Sequence, residues 1–123
     1  MITLHKTSSS DSRTDSFDIM LNNQKVGQCQ LRHVPTKGSS MPEGFENHIY
    51  YEIDSEFQGK GYAKETLKLL LEEARKIELK EVVIVITEDN IPSQHVTESN
   101  GGILLEKKEK TDGSLHRKYK IIL

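Results

Sequence analysis

One continuous stretch, "HIYYEIDSEFQGKGYAKETLKLLLEEARKIELKEVVIVIT" over residues 48–87, restricts the fold more than any other. It opens with strict alternation. Ile49, Tyr51 and Ile53 fall on one face of a strand; His48, Tyr50, Glu52 and Asp54 fall on the other. The period then changes. Ala63, Leu67, Leu70, Leu71, Ala74 and Ile77 recur at helical spacing, and Lys64, Glu65, Lys68, Glu72, Glu73, Arg75 and Lys76 take the opposite face. The stretch ends in "VVIVIT", apolar at both faces, which predicts a central buried strand. A strand–helix–strand unit of this kind predicts a parallel pair.

The flanking segments are shorter and mostly hairpins. Ile2–His5 reads as a strand, and Thr7–Asp15 as a polar loop. "SFDIMLNNQKVGQCQLRHV" reads as a hairpin turning at Asn22-Asn23-Gln24. Pro35–Asn47, with two prolines and two glycines, reads as loop. A short helix is expected from about Pro92 to Asn100, with proline near its start and Gly101-Gly102 at its end. The tail "ILLEKKEKTDGSLHRKYKIIL" reads as a second hairpin turning at Asp112-Gly113. The expected fold class is α/β (α+β): a mixed, mostly antiparallel sheet with a central parallel strand pair and helices packed on it.

At 123 residues the chain is expected to form a single domain, 1–123. A net charge of −2 gives no general field for nucleic acid or a membrane surface, and no apolar run approaches a spanning length. The first residues carry no apolar signal core. Cys29 is the one cysteine, so no disulfide forms, which fits a cytoplasmic, reducing location. It lies in an alternating run and reads as an ordinary strand residue. The five histidines have no metal-ligand spacing, so no metal is expected.

Gly59 and Gly61 at the helix entrance are the anomaly. Glycine adds nothing to a core and has a backbone entropy cost. A helix N-terminus exposes unpaired N–H groups with partial positive charge, which suits an anion such as phosphate. Two bare residues would let it approach, and Lys60 and Lys64 would add charge. A dinucleotide fingerprint fails because the third position is Lys64, and a P-loop is absent. The same spelling also suits a glycine-rich turn with no ligand.

"Gln58-Gly59-Lys60-Gly61-Tyr62-Ala63" resembles the Q/R-x-x-G-x-G/A motif of the GNAT superfamily of N-acetyltransferases. "VVIVITEDNIPSQHVTESNGG" is similar to that family's next strand and helix, with N-x-x-S at Asn90 and Ser93. The resemblance spans roughly residues 48–105, and the final hairpin also fits. It implies acetyl-CoA as donor, with the pyrophosphate on the backbone of Gln58, Gly59, Lys60, Gly61, Tyr62 and Ala63. It further implies a pantetheine arm along Tyr51, Ile53 and Asp54, where the parallel strands splay apart. Asn90 and Ser93 would lie near the pantetheine and sulfur. The implied acceptor is a small-molecule amine or a protein amino group.

The chain departs from the family pattern at four places. The acid that protonates the leaving thiolate would fall on Thr97, a poor acid, leaving Ser93 or water to serve. The buried-strand glutamate falls on Val85. The usual N-terminal helix pair is replaced by Thr7–Asp15, so the acceptor side is open or is completed by a partner chain, a homodimer being one form. Glu78 stands where a helix-ending glycine is common. An amine acceptor must lose a proton before attack. His48 and Glu52, on the polar face of the strand, are the candidate bases, and both also fit a merely exposed face. Glu46 and Asn47 lie in or beside a loop. Lys107, Lys108, Lys110, Arg117, Lys118 and Lys120 read as a solvated hairpin face. Three functions remain: an acetyl-CoA-dependent N-acetyltransferase, a non-catalytic acyl-CoA-binding or interaction module of the same fold, or, as the weaker reading, a phosphate-binding domain unrelated to coenzyme A.

Overall fold

In the computed structural model, which describes residues 1–7, 11–38, 41–110 and 112–123, the alternating segments become strands. Residues 8–10 of the polar loop, 39–40 of the proline-rich loop and 111 beside the last turn lie outside this description. The first four strands are β1 (Ile2–Thr7), β2 (Thr14–Leu21), β3 (Gln24–Thr36) and β4 (Asn47–Ile53). They form one antiparallel sheet in the order β1-β2-β3-β4. The β2–β3 hairpin closes with Leu21 opposite Gln24, and Asn22 adopts the left-handed conformation that its tight turn requires.

The predicted amphipathic segment is α1 (Tyr62–Lys76). It buries Thr66, Leu67, Leu70, Leu71 and Ala74 and packs on β1, β3 and β4. An isolated helix of this length is marginal in water. Each fully buried leucine contributes about 1.5–3 kcal/mol, so this apolar stripe is what holds the helix in place. The shared core also takes Phe17, Ile19, Val26 and Leu31 from the first sheet and Val82, Ile84, Tyr119 and Ile121 from the second.

That second sheet holds β5 (Glu81–Thr87), β6 (Ile103–Glu109) and β7 (Leu115–Ile122), in the order β5-β7-β6. The helix α2 (Ile91–Ser99) joins β5 to β6. The final hairpin turns where predicted, with Gly113 left-handed and Asp112 Oδ1 accepting from the Ser114 N–H at 2.9 Å.

The structure adds one detail to the sequence reading and corrects it in two respects. The two predicted parallel neighbours, β4 and β5, form no backbone ladder among the described residues; each is the outer strand of its own antiparallel sheet. β5 is also less enclosed than its composition implies, because Val82, Ile84 and Ile86 are buried while Val83 and Val85 are only half-buried. Finally, Arg117 is not a solvated hairpin cation. Its guanidinium makes two hydrogen bonds to the Glu88 carboxylate, at 2.7 and 2.9 Å, and one to the Tyr119 hydroxyl, at 2.9 Å. The Tyr119 hydroxyl donates in turn to Glu98 of α2 at 2.8 Å, so the cluster ties α2 to the second sheet.

Two backbone constraints shape the region between the sheets. A Cβ on Gly27 would lie 2.2 Å from the Glu52 carbonyl oxygen, so β3 and β4 approach closely only because this residue is bare. At the far end of α1, Glu78 is left-handed at φ 65 and exposed. The bonds Glu78 N–H to Arg75 O and Leu79 N–H to Ala74 O, at 3.0 and 3.1 Å, close the helix around it. A side chain there is disfavoured by on the order of 1 kcal/mol. Glu78→Gly is therefore expected to raise the melting temperature by roughly 3–6 °C in a thermal unfolding scan.

Candidate active site

The site begins where the β3–β4 ladder ends. Its last pair is Gly27 with Ile53. The Asp54 N–H bonds the Val26 carbonyl at 2.9 Å, and the Gln58 side-chain amide donates to the Ile53 carbonyl at 2.9 Å. A single 3₁₀ turn, Ser55–Phe57, then leads into Gly59 and Gly61, left-handed at φ 78 and 84. A Cβ on either glycine would meet no protein atom within 4 Å, so both face open space. The reason for glycine here is the backbone conformation and what that space can admit.

Gly61 is the N-cap of α1 and has no side chain to cap it. The first-turn N–H groups of a helix lack intrahelical partners, and they carry the positive end of the helix dipole. α2 starts differently. Asn90 is its N-cap, and its Oδ1 accepts from the Ser93 N–H at 3.2 Å. The N-x-x-S spacing thus has a structural use of its own: it starts the helix.

Between these two helix starts and the end of β4 lies a cleft of about 570 Å³, within the ordinary range for small-molecule sites. β4 contributes Tyr51, Glu52 and Ile53 to its walls, and the loop contributes Gln58, Gly59 and Gly61. Tyr62 and Ala63 line it from α1, and Asn90 and Ser93 from α2. A second depression of about 560 Å³ shares Gly61 and Lys64 with the cleft and runs along Lys68 and Arg75 of α1. The Asn100 side chain closes α2 against α1 by donating to the Lys64 carbonyl at 3.3 Å.

The cleft leaves out four of the residues singled out from sequence. Asp54 and Lys60 belong to the same loop but do not line it. Thr97 is fully buried, and its hydroxyl has no hydrogen-bond partner. A Cβ on Gly102 would strike Thr97 Cγ2 at 2.5 Å, so Thr97 is packed under the end of its helix rather than turned to the cleft. His48 is also buried, and its Nδ1 accepts from the Val83 N–H of β5 at 3.0 Å. Desolvation lowers its pKa against weaker opposing effects of Glu81 and Glu46. The imidazole is drawn into the join between the sheets, its basic lone pair already occupied.

Sequence reasoning missed Phe57, Pro92 and Val96 as lining residues. Val96 stands one turn after Ser93, a position that helical spacing gives once α2 is accepted. It also missed the side chain of Tyr51, assigned only a backbone role. Its hydroxyl donates to Ser93 Oγ at 3.2 Å across the cleft. Burial raises its pKa, with the Ser93 bond acting weakly the other way. Glu52 is exposed at the cleft edge and accepts from the Tyr50 hydroxyl at 2.5 Å. Cys29 is buried, and burial, helped by the Asp18 charge, pushes its thiol up to about 12, so it stays protonated and is no nucleophile. Among the described residues no His, Cys, Asp and Glu group could hold a metal ion, and no helix is long and apolar enough to cross a membrane.

An uncapped helix start behind two left-handed glycines, opening on a cleft between the end of β4 and the starts of α1 and α2, is the feature that marks this α+β domain. The family model of the GNAT acetyltransferase domain matches residues 2–103, and the chain belongs to that family. Its fold is similar to that of a GNAT family acetyltransferase from Elizabethkingia anophelis with acetyl-CoA bound. The TM-score is 0.75 at 13% identity, over 99% of this chain and 98% of that one. It is also similar to the ribosomal alpha-N-protein acetyltransferase RimL in complex with coenzyme A (TM-score 0.70, 21% identity, 90% of this chain and 63% of that one). A spermidine N-acetyltransferase SpeG variant from Vibrio cholerae gives a TM-score of 0.74 at 15% identity, over 92% of this chain and 68% of that one. No curated protein matches at a significant level.

Removing the His48 side chain leaves the Val83 N–H unpaired between the sheets, a loss of about 1–3 kcal/mol. His48→Ala is therefore expected to melt roughly 3–6 °C lower per kcal/mol lost. The unfolded chain regains an ordinary histidine pKa near 6.5 and binds the proton more readily than the native state. Native stability therefore falls as pH drops below about 6.5, and His48→Ala is expected to flatten that part of a melting-temperature–pH curve.

Proposed function

We propose that the protein is an acetyl-CoA-dependent N-acetyltransferase that moves an acetyl group to a primary amine by direct attack. The observation that carries this reading is the uncapped start of α1 behind left-handed Gly59 and Gly61, at one end of a cleft of about 570 Å³. The residues fit the donor's chemistry. The N–H groups from Gln58 to Ala63 would hold the pyrophosphate, with Lys64 and the α1 dipole adding positive potential. Tyr51, Ile53, Asn90 and Ser93 would line the path of the pantetheine arm. When bound, the donor supplies an activated thioester.

The acceptor nitrogen must arrive unprotonated. Glu52 is the better-placed base, because it lines the cleft and is exposed, whereas His48 holds the Val83 N–H in the seam. The acceptor would be a small-molecule amine or a protein amino group, and a second copy of the chain could close the acceptor side. The lone, buried Cys29 is compatible with a cytoplasmic location. A non-catalytic acyl-CoA-binding module is the second reading, and the burial of Thr97 favours it, since the family's acid position is empty of a usable hydroxyl.

Thermal unfolding with acetyl-CoA tests the site. At about 100 times its Kd the ligand stabilises the native state by roughly 2.7 kcal/mol. For a domain of this size that is a rise of roughly 10 °C. Gly61→Asp places a carboxylate at the helix start and is expected to abolish the shift, with the unliganded melting point within a few degrees of wild type. An unshifted wild type overturns the donor assignment. Release of free thiol with an amine panel separates the enzyme from the binding module.

A further inference from the structure

The acetyltransferase reading leaves the departing thiolate without an evident proton donor, because Thr97 is buried away from the cleft with its hydroxyl partnerless. The hydroxyls that do line the cleft belong to Tyr51, Tyr62 and Ser93. Tyr62 is the first residue of α1, at the anion end. Tyr51 reaches instead from β4 to α2, where its hydroxyl donates to Ser93 Oγ at 3.2 Å. We propose that Tyr51, from β4, is the general acid of this chain, and that Ser93 positions its hydroxyl.

The inference rests on the acetyltransferase reading and adds to it a residue on a different element from the one the family pattern points to. Three observations support it. The phenol lies in the cleft wall, half-buried, packed against the core, with its hydroxyl bonded to a residue that lines the opposite wall. Burial holds its pKa above the ordinary tyrosine value, so the proton is kept throughout the neutral range and is available to give. Ser93 is fixed in turn, since its backbone N–H bonds the Asn90 side chain at the start of α2. The Asn90–Ser93–Tyr51 chain thus holds the phenol oxygen from the helix side.

In the step itself, the acceptor nitrogen forms a bond to the acetyl carbonyl carbon, and the C–S bond breaks with its electron pair going to sulfur. Tyr51 transfers its phenolic proton to that sulfur, giving the free thiol. The Ser93 hydroxyl rotates to donate to the transient phenolate. The nitrogen loses its extra proton to Glu52 or solvent, and water returns a proton to Tyr51, so no other reactant is needed.

Tyr51→Phe keeps the ring and removes the proton. The expected result is a kcat lower by about 10²-fold or more, the lower end of what a positioned acid contributes. The KM for acetyl-CoA and the acetyl-CoA-induced melting shift should match wild type. The basic limb of the wild-type kcat–pH profile should disappear in the variant. In the free protein, ultraviolet titration of tyrosinate should lose one transition lying above the ordinary value near 10. Ser93→Ala should lower kcat by several-fold and keep the basic limb. If Tyr51→Phe turns over within twofold of wild type with its ligand shift intact, the assignment is overturned. A silent Tyr51→Phe beside a crippled Ser93→Ala would make Ser93 the donor instead. Wild type that releases no thiol from acetyl-CoA with any amine overturns the transferase reading and this role with it.

Discussion

The join between β4 and β5 governs everything around it. Two N–H groups of β5, on Val83 and Val85, point away from its own sheet and need partners, because a buried or half-buried donor left unpaired is costly. β4 supplies them with side chains rather than carbonyls: His48 Nδ1 accepts from Val83 at 3.0 Å and Asn47 Oδ1 from Val85 at 2.8 Å. A side chain is longer than a backbone carbonyl. The two sheets are therefore bonded across this seam without zipping into one. The cleft opens at the other end of β4, where Tyr51, Glu52 and Ile53 line it together with the starts of α1 and α2.

The rest of the site is a set of chain ends brought to that opening. The close approach at Gly27 turns the last residues of β4, and the Asp54 and Gln58 hydrogen bonds fix the exit of the chain. α1 then starts with no cap of its own, while α2 starts with a full one. The contrast matters electrostatically. One helix start is satisfied by its own cap, and the other leaves its first-turn donors without a side-chain partner. The Glu88 carboxyl, held down to about 2 by Arg117, stays charged over the whole working range and keeps its side of the cluster intact. That cluster ties β7 through Tyr119 and Glu98 to α2, the helix that carries Ser93.

Much of the fold was legible because its signals are local. The period change after Asp54 marks the strand-to-helix passage, and Asn22 and Gly113 mark turns through their own backbone preferences. The bare entrance to α1 was legible for the same reason: Gly59 and Gly61 mark a left-handed backbone just before the helix. The catalytic candidates were harder. His48 alternates with Tyr50 and Glu52 along the strand, so periodicity assigns it to their polar face. It cannot foresee that a neighbouring sheet will need its lone pair. Thr97 occupies a family position, but its environment is set by Gly102 packed against it. Tyr51 alternates as a core residue, and only the placement of α2 brings Ser93 to its hydroxyl.

The sequence by itself determined the order and type of the elements, the stripe of α1 that enters the core, and the bare entrance to that helix. These depend on spacing and on backbone freedom, which are written residue by residue. Tertiary structure alone decided that the sheet divides at β4 and β5, that His48 serves the seam, and that Tyr51 faces the cleft. Each of those outcomes depends on a hydrogen bond between residues 35 to 42 positions apart. No local pattern encodes such a bond, because its partners meet only after the helix between them has docked.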